Sequence, residues 1–63
     1  MLAANLVDLR QKRNWSQEAL AHEAGLHRTF IAHVERQGRN ISLDNLEKLA
    51  IALEVRVTRL LQE

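Results

Sequence analysis

An all-α fold is what this sequence predicts, and three observations predict it. The strong helix formers Ala, Leu, Glu, Gln, Lys, Arg and Met supply 39 of the 63 residues, against nine Val, Ile and Thr. Apolar residues return at three- and four-residue steps in successive short segments. Ser16, Gly25 and Ser42 stand between those segments, where helix caps belong. The whole chain, 1–63, reads as one small domain.

The first helix places Leu2, Leu6 and Leu9 on one face with Ala3 and Val7 beside them, and runs to about Arg13. Asn14 follows as a residue that tolerates a left-handed position. Ser16 offers an N-cap hydroxyl to a second helix that begins at Gln17, with Glu18 in its first turn at the positive end of the macrodipole. Its buried face is Leu20, Ala21 and Ala24, and Gly25 ends it. Phe30, Ile31 and Val34 repeat the spacing in a third helix from Arg28 to about Arg36, after which 37–40 form a loop. Ser42 caps a fourth helix with Asp44 in its first turn and a stripe of Leu43, Leu46, Leu49, Ala50 and Leu53. Val57, Leu60 and Leu61 suggest a short fifth helix.

Composition excludes several classes. At this length a fold buries only about 60% of the surface its unfolded chain exposes, so association between copies is expected. Without cysteine there is neither a disulfide framework nor a thiolate zinc site, and the core must be aliphatic. The amino terminus lacks a basic stretch and meets Asp8 early, which argues against a signal peptide. The longest apolar run, Leu49 to Leu53, is far short of the roughly 20 residues that span a bilayer, so no membrane association and a cytoplasmic location are expected.

The second and third helices, each about two turns and joined by a short turn containing Gly25, describe a helix-turn-helix. Small Ala21 permits the close crossing, and Ile31 and Val34 close the core between the two helices. That leaves His27, Arg28 and Thr29 facing outward at the start of the third helix, with His33 one turn along. A recognition helix presents donors and acceptors there to base edges in the major groove.

The run Ser16-Gln17-Glu18-x-Leu20-Ala21-x-x-Ala24-Gly25-Leu26, then Arg28-Thr29, Ile31, Glu35-Arg36 and Ser42-Leu43-x-x-Leu46-x-x-Leu49-Ala50-x-Ala52-Leu53-x-Val55, resembles the phage-repressor and Cro type of helix-turn-helix, the XRE-like regulators. The string from His27 to Ile31, with Val34-Glu35-Arg36 and 39–43, is similar to controller proteins of restriction-modification systems. The resemblance implies a compact five-helix lambda-repressor-like domain that regulates transcription by binding a pseudo-palindromic operator in double-stranded DNA as a homodimer. It implies base contacts from Arg28, Thr29 and His33. It implies backbone contacts from Gln17, Arg39 and Asn40, to which we add His27 and Arg36 at the flanks of the third helix. Arg10 and Glu35 occupy the positions of the family's structural ion pair. RNA polymerase is expected as a further partner, blocked in repression or touched in activation.

Four positions depart from the family pattern. Gln37 stands where Glu-Arg-Gly is usual, so the left-handed loop position is strained or shifted by one residue. Phe30 replaces the Tyr common in controllers, His27 stands where a smaller cap residue is frequent, and Glu54 where Gly often ends the fourth helix.

Other chemistries find little support. His22, His27 and His33 lack the i, i+4 spacing of helical metal ligands, so no metal and no cofactor are expected. Ser16, His22 and Glu18 are adjacent in sequence only, and Ser16 is already a cap, so the chain is read as no enzyme. No small-molecule ligand is expected in so short a chain. Trp15 reads as a plug between the first two helices. The net charge is only +1, but between Arg28 and Arg39 three Arg face one acid, Glu35. On a helical wheel Ile51 falls about 140 degrees from Leu46, on the polar face. With Val55, Val57 and Leu61 it forms a candidate dimer patch. The alternative reading is a protein-interaction module, an antitoxin or adaptor, that uses the same patch for a different partner.

Overall fold

Five helices carry the chain: α1 (Leu2–Lys12), α2 (Gln17–Ala24), α3 (Arg28–Gln37), α4 (Leu43–Leu53) and α5 (Val57–Leu60). The computed structural model describes residues 1–38 and 41–63, and among the described residues there is no strand. The all-α, five-helix expectation therefore holds, with boundaries within a residue or so of those read from caps and periodicity.

The caps explain the boundaries. Ser16 Oγ accepts the Ala19 N–H at 3.0 Å and Ser42 Oγ accepts the Asn45 N–H at 3.2 Å, each satisfying a donor that the first helical turn leaves over. Around each serine the apolar residues fall at the spacing of a hydrophobic staple, Trp15 with Leu20 and Ile41 with Leu46.

Three helix ends share one device. Asn14, Gly25 and Glu54 are left-handed, with φ of 58°, 70° and 57°. The next residue then donates its N–H back to a carbonyl five residues earlier: Trp15 to Arg10 at 3.1 Å, Leu26 to Ala21 at 2.9 Å and Val55 to Ala50 at 3.0 Å. Trp15, Leu26 and Val55 are also the apolar residues that pack against the core from these turns. The hydrogen bond and the hydrophobic contact of a Schellman turn thus arrive together.

At the end of α3 the left-handed position falls on Gly38, with φ of 67°, and not on Gln37. The extra residue in Glu35-Arg36-Gln37-Gly38 lengthens the helix by one and hands the strained conformation to the residue without a Cβ.

Every helix sends at least one side chain to the centre. Leu6, Leu20, Ile31, Val34, Leu49 and Leu60 are all but inaccessible to solvent. Around this core α3 packs on α1 and α2, α4 packs on α2, and α5 closes the gap between α1 and α4. Leu43, read with the core stripe of α4, is instead 64% exposed. It is the first residue of the helix, and the stripe reaches the core only one turn later, at Leu46.

Four residues are too few for α5 to hold its shape alone. Asn5 of α1 supplies the missing anchor: its Nδ2 donates to the Leu60 carbonyl at 2.9 Å and to the Gln62 carbonyl at 2.5 Å. Both amide hydrogens serve carbonyls that the end of a helix leaves without partners. Asn5→Ala is expected to cost about 1–2 kcal/mol. Native-state hydrogen exchange should show the loss of protection concentrated in α5 rather than spread over α2 and α3.

Candidate nucleic-acid interface

The outward face of α3 follows from which of its residues the core consumes. Ile31 and Val34 are buried and Phe30 packs against the core, which turns Arg28, Thr29 and Arg36 to solvent. His33 lies half-buried at the edge of the same face. With 100° per residue, Arg28, Ala32, Arg36, Thr29 and His33 span an arc of about 140°, wide enough to meet the floor and one wall of a groove. Ala32 sits between Arg28 and Arg36 in that arc and has no hydrogen-bonding group to mark it in the sequence. The wheel alone identifies it, and its methyl group is what a close approach to base edges or a thymine methyl requires.

His27 is the N-cap of α3, extended at φ −85° and ψ 144°, with no side-chain hydrogen bond to the first turn. Its ring is exposed beside Arg28. Arg28, Thr29 and Arg36 are equally uncommitted to intramolecular hydrogen bonds among the described residues, leaving their donors for a ligand. Arg39 and Asn40, assigned above to the backbone of DNA, lie outside the described residues.

At the edge of this face, beside Arg28 on the wheel, lies a half-buried polar junction. Arg10 of α1 donates through Nε to Glu35 Oε2 at 2.6 Å and through Nη2 to Glu35 Oε1 at 3.0 Å, a bidentate pair between α1 and α3. Its Nη1 donates to the Trp15 carbonyl at 2.8 Å, which reaches the turn before α2. Gln17, the first residue of α2, donates from Nε2 to Glu35 Oε1 at 2.9 Å. One carboxylate therefore joins three helices. The Gln17 contact has no counterpart in the sequence reading, which assigned this side chain to a phosphate alone.

Trp15 is half-buried against the core, with the Arg13 guanidinium 4.8 Å from its ring centroid, and Arg13 also pairs with Glu54. The ring thus has a packing role and a cationic cover. Of the patch read for association, Ile51 is 75% exposed and Leu61 48%, while Val55 and Val57 are half-buried and pack inward. Leu43 joins the exposed apolar residues of α4. Among the described residues no group of three or more His, Asp or Glu is placed to hold a metal ion, and no helix is long and apolar enough to cross a membrane.

A first helix of 11 residues, a second and third packed around a left-handed glycine, and an outward face on the third define a helix-turn-helix protein of the repressor and controller type. The helix-turn-helix family matches residues 6–60, and the chain belongs to it. It is 48% identical over 61 residues, 97% of its length, to a hypothetical transcription factor of Neisseria meningitidis, and 56% identical over 50 residues, 79% of its length, to control protein C.BamHI of Bacillus amyloliquefaciens. It spans 58% and 62% of those two proteins. Among solved structures it is similar to the restriction-modification controller C.AhdI of Aeromonas hydrophila, with a TM-score of 0.89, 42% identity and coverage of 94% of this chain and 89% of the controller. It is also similar to SinR, known from Bacillus subtilis, in complex with DNA, with a TM-score of 0.91, 30% identity and coverage of 98% and 100%.

Proposed function

We propose that the chain is a sequence-specific, double-stranded-DNA-binding regulator of transcription that occupies a pseudo-palindromic operator as a homodimer, with α3 in the major groove. The observation that carries this reading is the face of α3, where Arg28, Thr29 and Arg36 stand exposed around the small Ala32 while the opposite face is spent on the core. The likeness to SinR, whose structure was solved on DNA, supports it, as does the likeness to controller proteins. Arg28, Thr29 and His33 read bases. Gln17, His27, Arg36, Arg39 and Asn40 hold the backbone. Ile51 and Leu61, with the half-buried Val55 and Val57 beside them, pair two copies so that their recognition helices meet successive major grooves about 34 Å apart. A regulator of this kind works at the nucleoid, in the cytoplasm, by blocking or touching RNA polymerase, and performs no catalytic step.

Selection of bound sequences from random duplex DNA at near-physiological salt tests the reading. An enriched inverted repeat is expected. Enrichment of a single half-site would overturn the dimer. No enrichment would overturn the DNA reading and favour a protein-interaction module acting through the Ile51 surface.

Arg28→Ala is expected to cost about 1–3 kcal/mol on the selected site and to relax preference at one base pair, because Arg pairs in bidentate fashion with guanine O6 and N7. Arg36→Ala should weaken selected and scrambled duplexes alike and flatten the salt dependence by about one unit of slope. Equal losses on both duplexes for Arg28→Ala would refute its role in readout.

A further inference from the structure

We propose that Glu35 is a positioning residue for DNA binding: its carboxylate fixes the side-chain amide of Gln17, so that the backbone-contacting group of α2 and the base-reading face of α3 are set by one buried anion. The inference rests on the DNA-binding reading above, in which Gln17 meets a phosphate, and adds what orients it.

The geometry is specific. A carboxylate only accepts hydrogen bonds, so the Gln17 amide must turn its nitrogen toward Glu35 Oε1, 2.9 Å away. The amide is planar, and once one Nε2 hydrogen is spent on Glu35 the direction of the second is fixed. Gln17 is half-buried, and no buried side-chain nitrogen or oxygen lacks a partner among the described residues, so the amide oxygen, which accepts no hydrogen bond there, borders solvent and sets the amide at the protein surface. Glu35 is itself immobilised by the two bonds from Arg10, and its side chain is only 7% exposed. A glutamine that swung freely would have to be ordered at each binding event. Here the ordering is complete before DNA arrives, and it is referenced to the helix that reads bases.

The same junction decides which substitution releases Gln17. Oε1 accepts from both Arg10 Nη2 and Gln17 Nε2, so in Glu35→Gln the carboxamide oxygen settles at that place and its nitrogen turns toward Arg10 Nε. Glu35→Gln therefore keeps the Gln17 bond. Freeing Gln17 takes a side chain without an acceptor, and Arg10→Met with Glu35→Leu supplies it while leaving no uncompensated charge.

Two measurements test the proposal on the duplex recovered by selection. The first is a double-mutant cycle of Gln17→Ala and the paired replacement Arg10→Met with Glu35→Leu, read as duplex affinity with urea stability measured in parallel. Gln17→Ala is expected to weaken binding about tenfold in the natural background and less than about twofold beside the paired replacement. Losses that multiply independently would overturn the proposal and leave Glu35 a purely structural strut.

The second measurement needs no substitution and covers the case in which the paired replacement fails to fold. The two Nε2 protons of Gln17 are followed by NMR during titration with the duplex. One proton is expected to stay shifted by Glu35 throughout while the other moves on binding. Release of the first proton, as Gln17 leaves Glu35 to reach DNA, would overturn the proposal. A spectrum in which the α3 amides respond and neither Gln17 proton does would overturn it too, with the DNA-binding reading intact. No response anywhere would sink the DNA-binding reading itself.

Discussion

Glu35→Ala is expected to destabilise the fold by about 3–5 kcal/mol, most of what a domain of this size possesses. The cost comes less from the attraction that is lost than from the charge left behind. Arg10 is only 13% exposed, and without its partner the guanidinium stays in a poorly solvated site between α1 and α3. Gln17 Nε2 loses its acceptor at the same time. Urea unfolding followed by circular dichroism would measure the effect. It should depend little on salt, because a pair this enclosed is weakly screened. Asp8→Ala is the contrasting case: its pairs with Lys12 and Arg59 lie at the surface, with the Asp8 side chain 51% exposed, and the change should stay within about 0.5 kcal/mol. Replacing both Arg10 and Glu35 by Met and Leu should recover most of the loss, since the double change leaves no uncompensated charge. A loss below about 1 kcal/mol for Glu35→Ala would mean that Arg10 escapes to solvent and that the pair does not hold the helices together.

What the sequence disclosed and what it withheld divide along range of interaction. Ser16, Gly25 and Ser42 were legible because their chemistry acts within a turn: a hydroxyl satisfies a nearby amide, a glycine accepts a positive φ. The face of α3 was legible because Ile31 and Val34 assign the inside, and the outside follows at 100° per residue. Glu54 was harder. Nothing in a glutamate favours φ of 57°, and the conformation is imposed by Val55, whose burial and hydrogen bond to Ala50 select it. Leu43 misled for the opposite reason, since helical spacing assigns a face but not the point along the helix at which a core begins. The meeting of Gln17 with Glu35 spans 18 residues and depends on how three helices cross, which no local pattern encodes. Val55 and Val57 could not be told from surface residues before the position of α5 was known.

The two left-handed glycines separate the conformational cost of a side chain from the steric one. At Gly25, φ is 70° and an added Cβ would meet nothing within 4 Å, so Gly25→Ala should cost about 1–2 kcal/mol, the strain of a left-handed alanine. At Gly38 the φ of 67° is nearly the same, but the Cβ would lie 3.0 Å from both the Cβ and the backbone nitrogen of Ala3. To the same strain is added an overpacking cost of about 1–3 kcal/mol, giving about 2–5 kcal/mol for Gly38→Ala. In a domain this small each 1 kcal/mol lowers the melting temperature by about 4–8 °C, so thermal unfolding resolves the two variants readily. Ala3→Gly should rescue Gly38→Ala only in part. It removes the opposing Cβ but leaves the backbone nitrogen where it was. The residual strain has a functional side, because the contact sits where α1 stops the carboxyl end of the helix that bears Arg28 and Thr29. Relief by moving α1 tilts α3 relative to Gln17, so folded Gly38→Ala should bind the selected duplex more weakly than folded Gly25→Ala. Equal stability and equal affinity for the two variants would mean that α1 yields freely at Ala3, and that the orientation of α3 is held by the Arg10–Glu35 junction alone.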